Sequence, residues 1–257
     1  MSLHILKTPS MRIWKITTGI IIITLNGFIV NAQINTPKYE IGVGVGTYVY
    51  QGDLTPSATG SYRTMRPGLN LYGSRILSRS FAVRANIAFS GLKGDDAAYD
   101  HPEYRQHRNF NFSTPLVEAT ALLVWNPLKR NYIDKGFSPY LFAGAGASFL
   151  SVQKDWSNYD ANYFGDGTYI PSRVAIDDAH GTPNVIPVVP VGIGLRYNIS
   201  SRWAATAEGT YRLMFTDYLD GFSQSADPAQ NDHYHSITVG VVYRIGKKNQ
   251  LDCPTAF

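Results

Sequence analysis

Eight stretches of this chain alternate apolar residues with small or polar ones at every second position, and that count restricts the fold more than any other feature. The first is YEIGVGVGTYVYQ, residues 39 to 51, with Ile41, Val43 and Val45 on one face and Gly42, Gly44 and Gly46 on the other. The remaining seven are read over 65–77, 81–90, 109–125, 139–151, 188–199, 203–218 and 234–246. In the third, Phe81, Val83, Ala85, Ile87 and Phe89 oppose Arg84, Asn86 and Ser90. A soluble sheet would usually carry Lys, Glu, Ser or Thr on its second face. Glycine weakens a strand and is tolerated where a bulky side chain or another backbone comes close. That condition is met in the narrow lumen of a small closed barrel whose outer face touches something apolar.

The connectors alternate in length. The second, fourth and sixth are the shorter set, including the turns SRS and SSR, while the first, third, fifth and seventh are longer, up to the polar insertion 152–184. An even number of strands about ten residues long, joined by short and long connections in turn, is the pattern of an outer-membrane barrel with short periplasmic turns. The prediction is therefore an all-β protein, an eight-stranded antiparallel transmembrane outer-membrane β-barrel, placed in the cell outer membrane with its lipid as one partner. Composition agrees: 13% of residues are aromatic and only 16% charged, a balance suited to a lipid interface. The inward positions Arg84, Glu118, Arg196, Glu208 and Arg212 have both signs, as a buried polar lumen needs if its charges are to pair. Aromatics near strand ends, Tyr39, Tyr48, Tyr50, Trp125, Tyr140, Trp203 and Tyr243, are expected to form the interface girdles. The rival is a soluble lipocalin-like barrel turned the other way, which leaves outward runs of Gly and Ala and the asymmetry of the connectors unexplained.

At the N-terminus, MRIWKITTGIIIITLNGFIVNA has two basic residues, an apolar run from Ile16 to Val30 and a small-residue end, the pattern of a secretory signal over residues 1–32. Met11 is read as an alternative start. The barrel is assigned to 33–246 and a periplasmic tail to 247–257. That tail holds the single cysteine, Cys253, which has no intramolecular partner and is a candidate for an intermolecular disulfide in an oxidising compartment. The net charge of +4 comes from scattered Lys and Arg, giving no argument for nucleic acid.

Residues able to do chemistry are sparse. DHYHS, 232–236, brings acid, His and Ser together, but His233 and His235 share a face and Ser236 takes the other, so a nucleophile and base are badly placed. HPEYRQHR, 101–108, matches no zinc spacing. Asp155, Asp160, Asp166, Asp177 and Asp178 lie in the long insertion without the spacing of a calcium loop. GVGVG and GAGAS sit within strands and are not phosphate loops. No catalytic residue, cofactor or metal is assigned.

Several blocks together resemble one family. GVGVGTYVYQGDL, RANIAFSGLKGDD, RNFNFSTPLVEATALLVWNP, SPYLFAGAGASF, VGIGLRYNIS, TYRLMFTDYLDGFS and the closing VYRIGKKNQLDCP are similar to the PorG-type outer-membrane barrels of the type IX secretion machinery. FTDYLDGFS and the terminal RxGKK…DCP are the most specific of these, and the fifth connector is longer than the family pattern. The resemblance implies a non-enzymatic barrel that anchors or scaffolds a periplasmic ring built from an outer-membrane lipoprotein and its partner. The tail residues Lys247, Lys248, Asp252, Cys253 and Pro254 are the positions mapped onto partner contact. Two other classes stand as alternatives: an enzyme acting on outer-membrane lipid, with the His233/His235 region as its site, and a barrel that binds or adheres through its surface loops.

Overall fold

Alternation at the residue level becomes a closed wall. The computed structural model describes residues 38–165, 169–227 and 231–246. The expected signal segment 1–32, the alternative start Met11, Asp166 and the tail residues Lys247, Lys248, Asp252, Cys253 and Pro254 lie outside the described residues. Among the described residues there are nine strands: β1 (Tyr39–Gln51), β2 (Arg66–Ile76), β3 (Phe81–Asp95), β4 (Asn111–Trp125), β5 (Gly136–Leu150), β6 (Gln153–Asp155), β7 (Val185–Asn198), β8 (Trp203–Met214) and β9 (His233–Ile245). All except β6 pair in the order β3-β2-β1-β9-β8-β7-β5-β4, and β3 pairs with β4 to close the ring. β1 against β9 joins the first strand to the last, from Tyr39 opposite Ile245 to Gln51 opposite His233.

The side-chain distribution fixes which face meets lipid. Ile41, Val43, Val45, Ile87, Leu123, Val239 and Val241 are exposed, whereas Arg84, Glu118, Arg196 and Arg212 are buried. This is the reverse of a soluble barrel, and it removes the lipocalin-like rival. From Trp203 to Leu213 the outward row of β8 rises ten residues, about 33 Å along the strand. At the usual tilt this covers about 25 Å, the height of an outer-membrane apolar band. Among the described residues no helix is long and apolar enough to cross a membrane. The protein is an outer-membrane β-barrel that crosses with its strands.

The glycine alternation of β1 has two local causes. A Cβ on Gly42 would stand 2.2 Å from the ring of Tyr72, its partner on β2, and one on Gly46 would stand 2.1 Å from the carbonyl oxygen of Ile237 on β9. The first glycine makes room for a lumen tyrosine and the second lets two backbones approach.

Three features depart from the sequence expectation. β3 runs on through Gly91–Asp95, paired with the start of β4, where a polar loop was expected. The insertion 152–184 is built rather than open: β6 pairs with β4, and two helices follow, α2 (Ala161–Phe164) and α3 (Tyr169–His180). Tyr48, Tyr50 and Tyr140 are not girdle residues. They are buried inside the barrel, because each shares parity with inward glycines of its own strand, while Tyr39, Trp125 and Trp203 remain exposed on the outer face and Tyr243 is half-buried.

Candidate functional site

The lumen is a stack of ion pairs. Nearest the short turns, Glu40 on β1 accepts two hydrogen bonds of 2.9 Å from Arg196 on β7 and one of 3.1 Å from Arg244 on β9. Arg244 also donates to the carbonyls of Asn131 and Ile133, tying the β4–β5 connector across the barrel's end. One layer on, Arg84 of β3 reaches Glu208 of β8 at 2.6 Å, with the Tyr140 hydroxyl on the same oxygen at 2.5 Å and the Arg84 guanidinium over the Tyr72 ring. The next layer joins Arg212 to Glu118 at 2.6 Å, with Tyr234 donating to Glu118 at 2.6 Å and Arg212 to Ser236 at 2.8 Å. The five lumen residues named from the sequence therefore enter three separate pairs. Glu40 and Arg244 complete them, and parity within their own strands would have found both.

Between Glu40, Arg84, Tyr140 and Arg196 the free space is about 10 Å3, near the threshold for a single water.

Past the last ion pair the barrel is sealed by its own loops. Leu54 follows β1, Phe110 precedes β4, Val174 lies on α3, and Leu219 and Phe222 follow β8; all are fully buried and pack around Tyr50, Phe112 and Leu116. Polar ties lock this cap. Asp96 holds both Arg105 and Arg108, on helix α1 (Tyr104–Arg108), at 2.8 and 2.6 Å, and Arg105 continues to the carbonyl of Thr55. Asp177 on α3 accepts from the backbone of Gln224 and Ser225 and from the Ser225 hydroxyl.

At the centre of the cap the Tyr50 hydroxyl lies 2.6 Å from Asp220 and 2.7 Å from Asp232. A hydroxyl has one proton to donate, so the second contact requires a protonated carboxyl that donates back. Burial, which disfavours the charged form, pushes both carboxyls up. Burial also pushes Asp217 up to about 7 and Asp53 up to about 6, the latter against a hydrogen bond from the backbone of Asp227. Both carboxyl oxygens of Asp217 are buried, and the Ser223 side chain beside them offsets only part of the rise. Asp217 and Asp220 belong to FTDYLDGFS, whose role in the cap has no periodicity to reveal it.

The residues singled out for chemistry do not converge. Ser236 points into the lumen toward Arg212, the His233 ring accepts from the backbone of Met214, and the His235 ring packs on Tyr62. In the insertion, Asp160 meets His107, Asp178 meets Lys154 and Asp155 caps Ser157. Among the described residues no three His, Cys, Asp or Glu side chains are grouped to hold a metal ion. A polar cleft of about 560 Å3 opens at the surface of the cap, lined by Asp53, Thr55, Arg105, Arg108, Asp227 and His233.

No curated protein matches the sequence. Among solved structures the chain is similar to the outer membrane protein OprG from Pseudomonas aeruginosa, at 10% identity and a TM-score of 0.47, over 83% of this chain and 98% of that one. It is also similar to Ail, the attachment invasion locus protein of Yersinia pestis, at 12% identity and a TM-score of 0.43, over 82% of this chain and 99% of that one. The Neisserial surface protein A matches at 12% identity and a TM-score of 0.43, over 80% of this chain and 97% of that one. Residues 15–245 match the family described as a domain of unknown function, DUF6089, and the chain belongs to that family.

Proposed function

We propose that this barrel is a non-enzymatic anchor or scaffold in the outer membrane, serving a periplasmic ring of the type IX protein secretion machinery as its PorG-type resemblance implies. The observation that carries the reading is the filled lumen: among the described residues, ion-paired layers and an apolar cap occupy the interior, which favours a barrel that acts through its surfaces. His233, His235 and Ser236 each have separate partners, which disfavours the lipid-enzyme alternative. The tail residues Lys247, Lys248, Asp252, Cys253 and Pro254 are proposed as the partner contact, with an intermolecular disulfide at Cys253.

The test is affinity purification of the solubilised protein from its native membranes, followed by mass spectrometry and a non-reducing gel. A periplasmic lipoprotein recovered at near-stoichiometric yield supports the scaffold, and a higher-mass band lost in Cys253→Ser supports the disulfide. Normal export of secreted proteins in a strain lacking the barrel would overturn the proposal. A second reading, recognition through the surface loops, is favoured by the polar cleft between Asp53, Arg105, Arg108 and His233. It would be preferred if loop variants lost binding to surfaces while secretion stayed intact.

A further inference from the structure

The two ends of the barrel carry opposite charge. At the turn end the exposed charged residues are Lys38 before β1, Arg75 at the end of β2, Arg79 in the β2–β3 turn, Lys129, Arg130 and Lys135 in the β4–β5 connector, and Arg202 in the β7–β8 turn. Among the described residues one exposed acid, Asp134, stands against these seven cations. Among the described residues of the loop end the balance inverts, with Asp100, Glu103, Asp155 and Asp178 exposed against Arg63. None of the seven turn-end cations enters an ion pair among the described residues.

Their placement identifies what they face. The outward side of the turn end carries an aromatic belt: Tyr39, Phe81, Trp125, Phe137, Tyr197, Trp203 and Tyr243, one on every strand of the wall except β2, where Arg75 lies opposite Tyr39. Two pairs within it are in contact, Phe137 with Tyr197 and Trp203 with Tyr243. Such belts mark the depth of lipid headgroups. The cations lie next to the belt in sequence: Lys38 adjoins Tyr39, Arg79 precedes Phe81, Lys129 and Arg130 follow Trp125, Lys135 precedes Phe137 and Arg202 adjoins Trp203. They are thus distributed around the rim, just beyond the aromatics, rather than gathered into one patch as a single docked protein would require. Barrels of this class face the periplasm with their short turns.

We infer that the turn-end rim binds the phosphate headgroups of anionic glycerophospholipids in the periplasmic leaflet, so that this barrel enriches anionic lipid around itself. The inference is independent of the secretion role. Attraction of this kind is electrostatic and weakens with salt.

The experiment is native mass spectrometry of the purified barrel after equilibration in micelles containing equimolar phosphatidylglycerol and phosphatidylethanolamine. The wild type should retain phosphatidylglycerol in preference by about fivefold for each cation engaged. Arg79→Gln, Lys129→Gln, Arg130→Gln and Arg202→Gln combined should lower the ratio by about fivefold for each engaged cation removed, while Arg63→Gln at the other end leaves it unchanged. Heat-modifiable gel mobility checks that each variant is folded. Equal retention by the wild type, or an unchanged ratio in the fourfold variant, overturns the inference. An acidic periplasmic protein that co-purifies with the wild type and not with the fourfold variant, in the absence of any lipid preference, would assign the rim to protein docking instead.

Discussion

The lumen and the loop end solve the burial of carboxylates in opposite ways. Glu40, Glu208 and Glu118 each meet a guanidinium, at 2.6 to 2.9 Å, across the width of the barrel. Beyond them, Asp220 and Asp232 converge on one tyrosine hydroxyl, and Asp217 is buried without an ion pair among the described residues. Arginine stays charged at any working pH, so the lumen pairs hold their charge state. The cap depends on carboxyls that burial drives toward neutrality. A carboxyl group therefore acts as a fixed electrostatic rivet in one region and as a titrating contact in the next.

The largest effect should come from breaking a rivet. Glu118→Leu leaves Arg212 buried without its carboxylate, and removal of one partner of a buried pair costs about 3–5 kcal/mol. Urea unfolding in micelles, followed by the mobility of unheated samples, should register that loss. Glu118→Leu combined with Arg212→Met should recover most of it, since replacing both members by apolar groups is often close to neutral. If the single variant unfolds like the wild type, the lumen is not held by its ion pairs.

A smaller loss sharpens the lumen side of the contrast. Gly46→Ala places a methyl group against the Ile237 carbonyl and the Thr238 Cα, both backbone, and overpacking of this kind costs about 1–3 kcal/mol. Gly73→Ala on the lipid face meets nothing within 4 Å and should unfold like the wild type. Equal midpoints for the two variants would mean that the wall between β1 and β9 can give way.

Tyr50→Phe tests the cap alone. It removes the hydroxyl between Asp220 and Asp232, and a buried polar group left without its partner costs about 1–3 kcal/mol. Because the lumen pairs are untouched, the loss should appear as faster amide exchange around 215–232, with the global unfolding midpoint shifted less than in Glu118→Leu. A global shift as large as that of Glu118→Leu would mean that cap and lumen unfold together.

The sequence exposes the two regions unequally for a physical reason. In a strand, parity alone decides whether a side chain meets lipid or lumen, so the sequence places Arg84, Glu118, Arg196, Glu208 and Arg212 in the lumen. The same rule applies to Glu40, Arg244, Tyr48, Tyr50 and Tyr140. The three tyrosines depart from the girdle expectation because parity, and not the general preference of aromatics for interfaces, sets which side of the wall they take. The cap obeys no period. Leu54, Phe110, Val174 and Phe222 come from four connectors far apart in sequence, and nothing local to any one of them says that all four meet over Tyr50. The alternation of connector lengths marked which end carries the loops; it could not show that they fold into a lid.

The smallest expected effect is the dependence of that lid on pH. Burial pushes Asp53 up to about 6 and Asp217 up to about 7 from an ordinary value of 3.8. A carboxyl raised in this way favours the closed cap fully below its unfolded value, and the contribution is lost as pH rises through the folded one. The cap should therefore be better protected at about pH 5 than at about pH 8, opposite in sign to the usual stabilisation by salt-bridged carboxylates. Amide exchange of residues 215–227, corrected for the intrinsic rate at each pH, measures this directly. Asp217→Asn removes the titration near 7 and should reduce the slope there, leaving the upper end to Asp220, pushed up to about 8, and the part below to Asp53. The lumen strands, fixed by arginine, should show no such slope over the same interval. A cap whose protection is constant with pH, or a slope that Asp217→Asn leaves unchanged, would mean that these carboxyls do not control the lid and that its closure rests on the apolar cluster around Phe110 and Phe222.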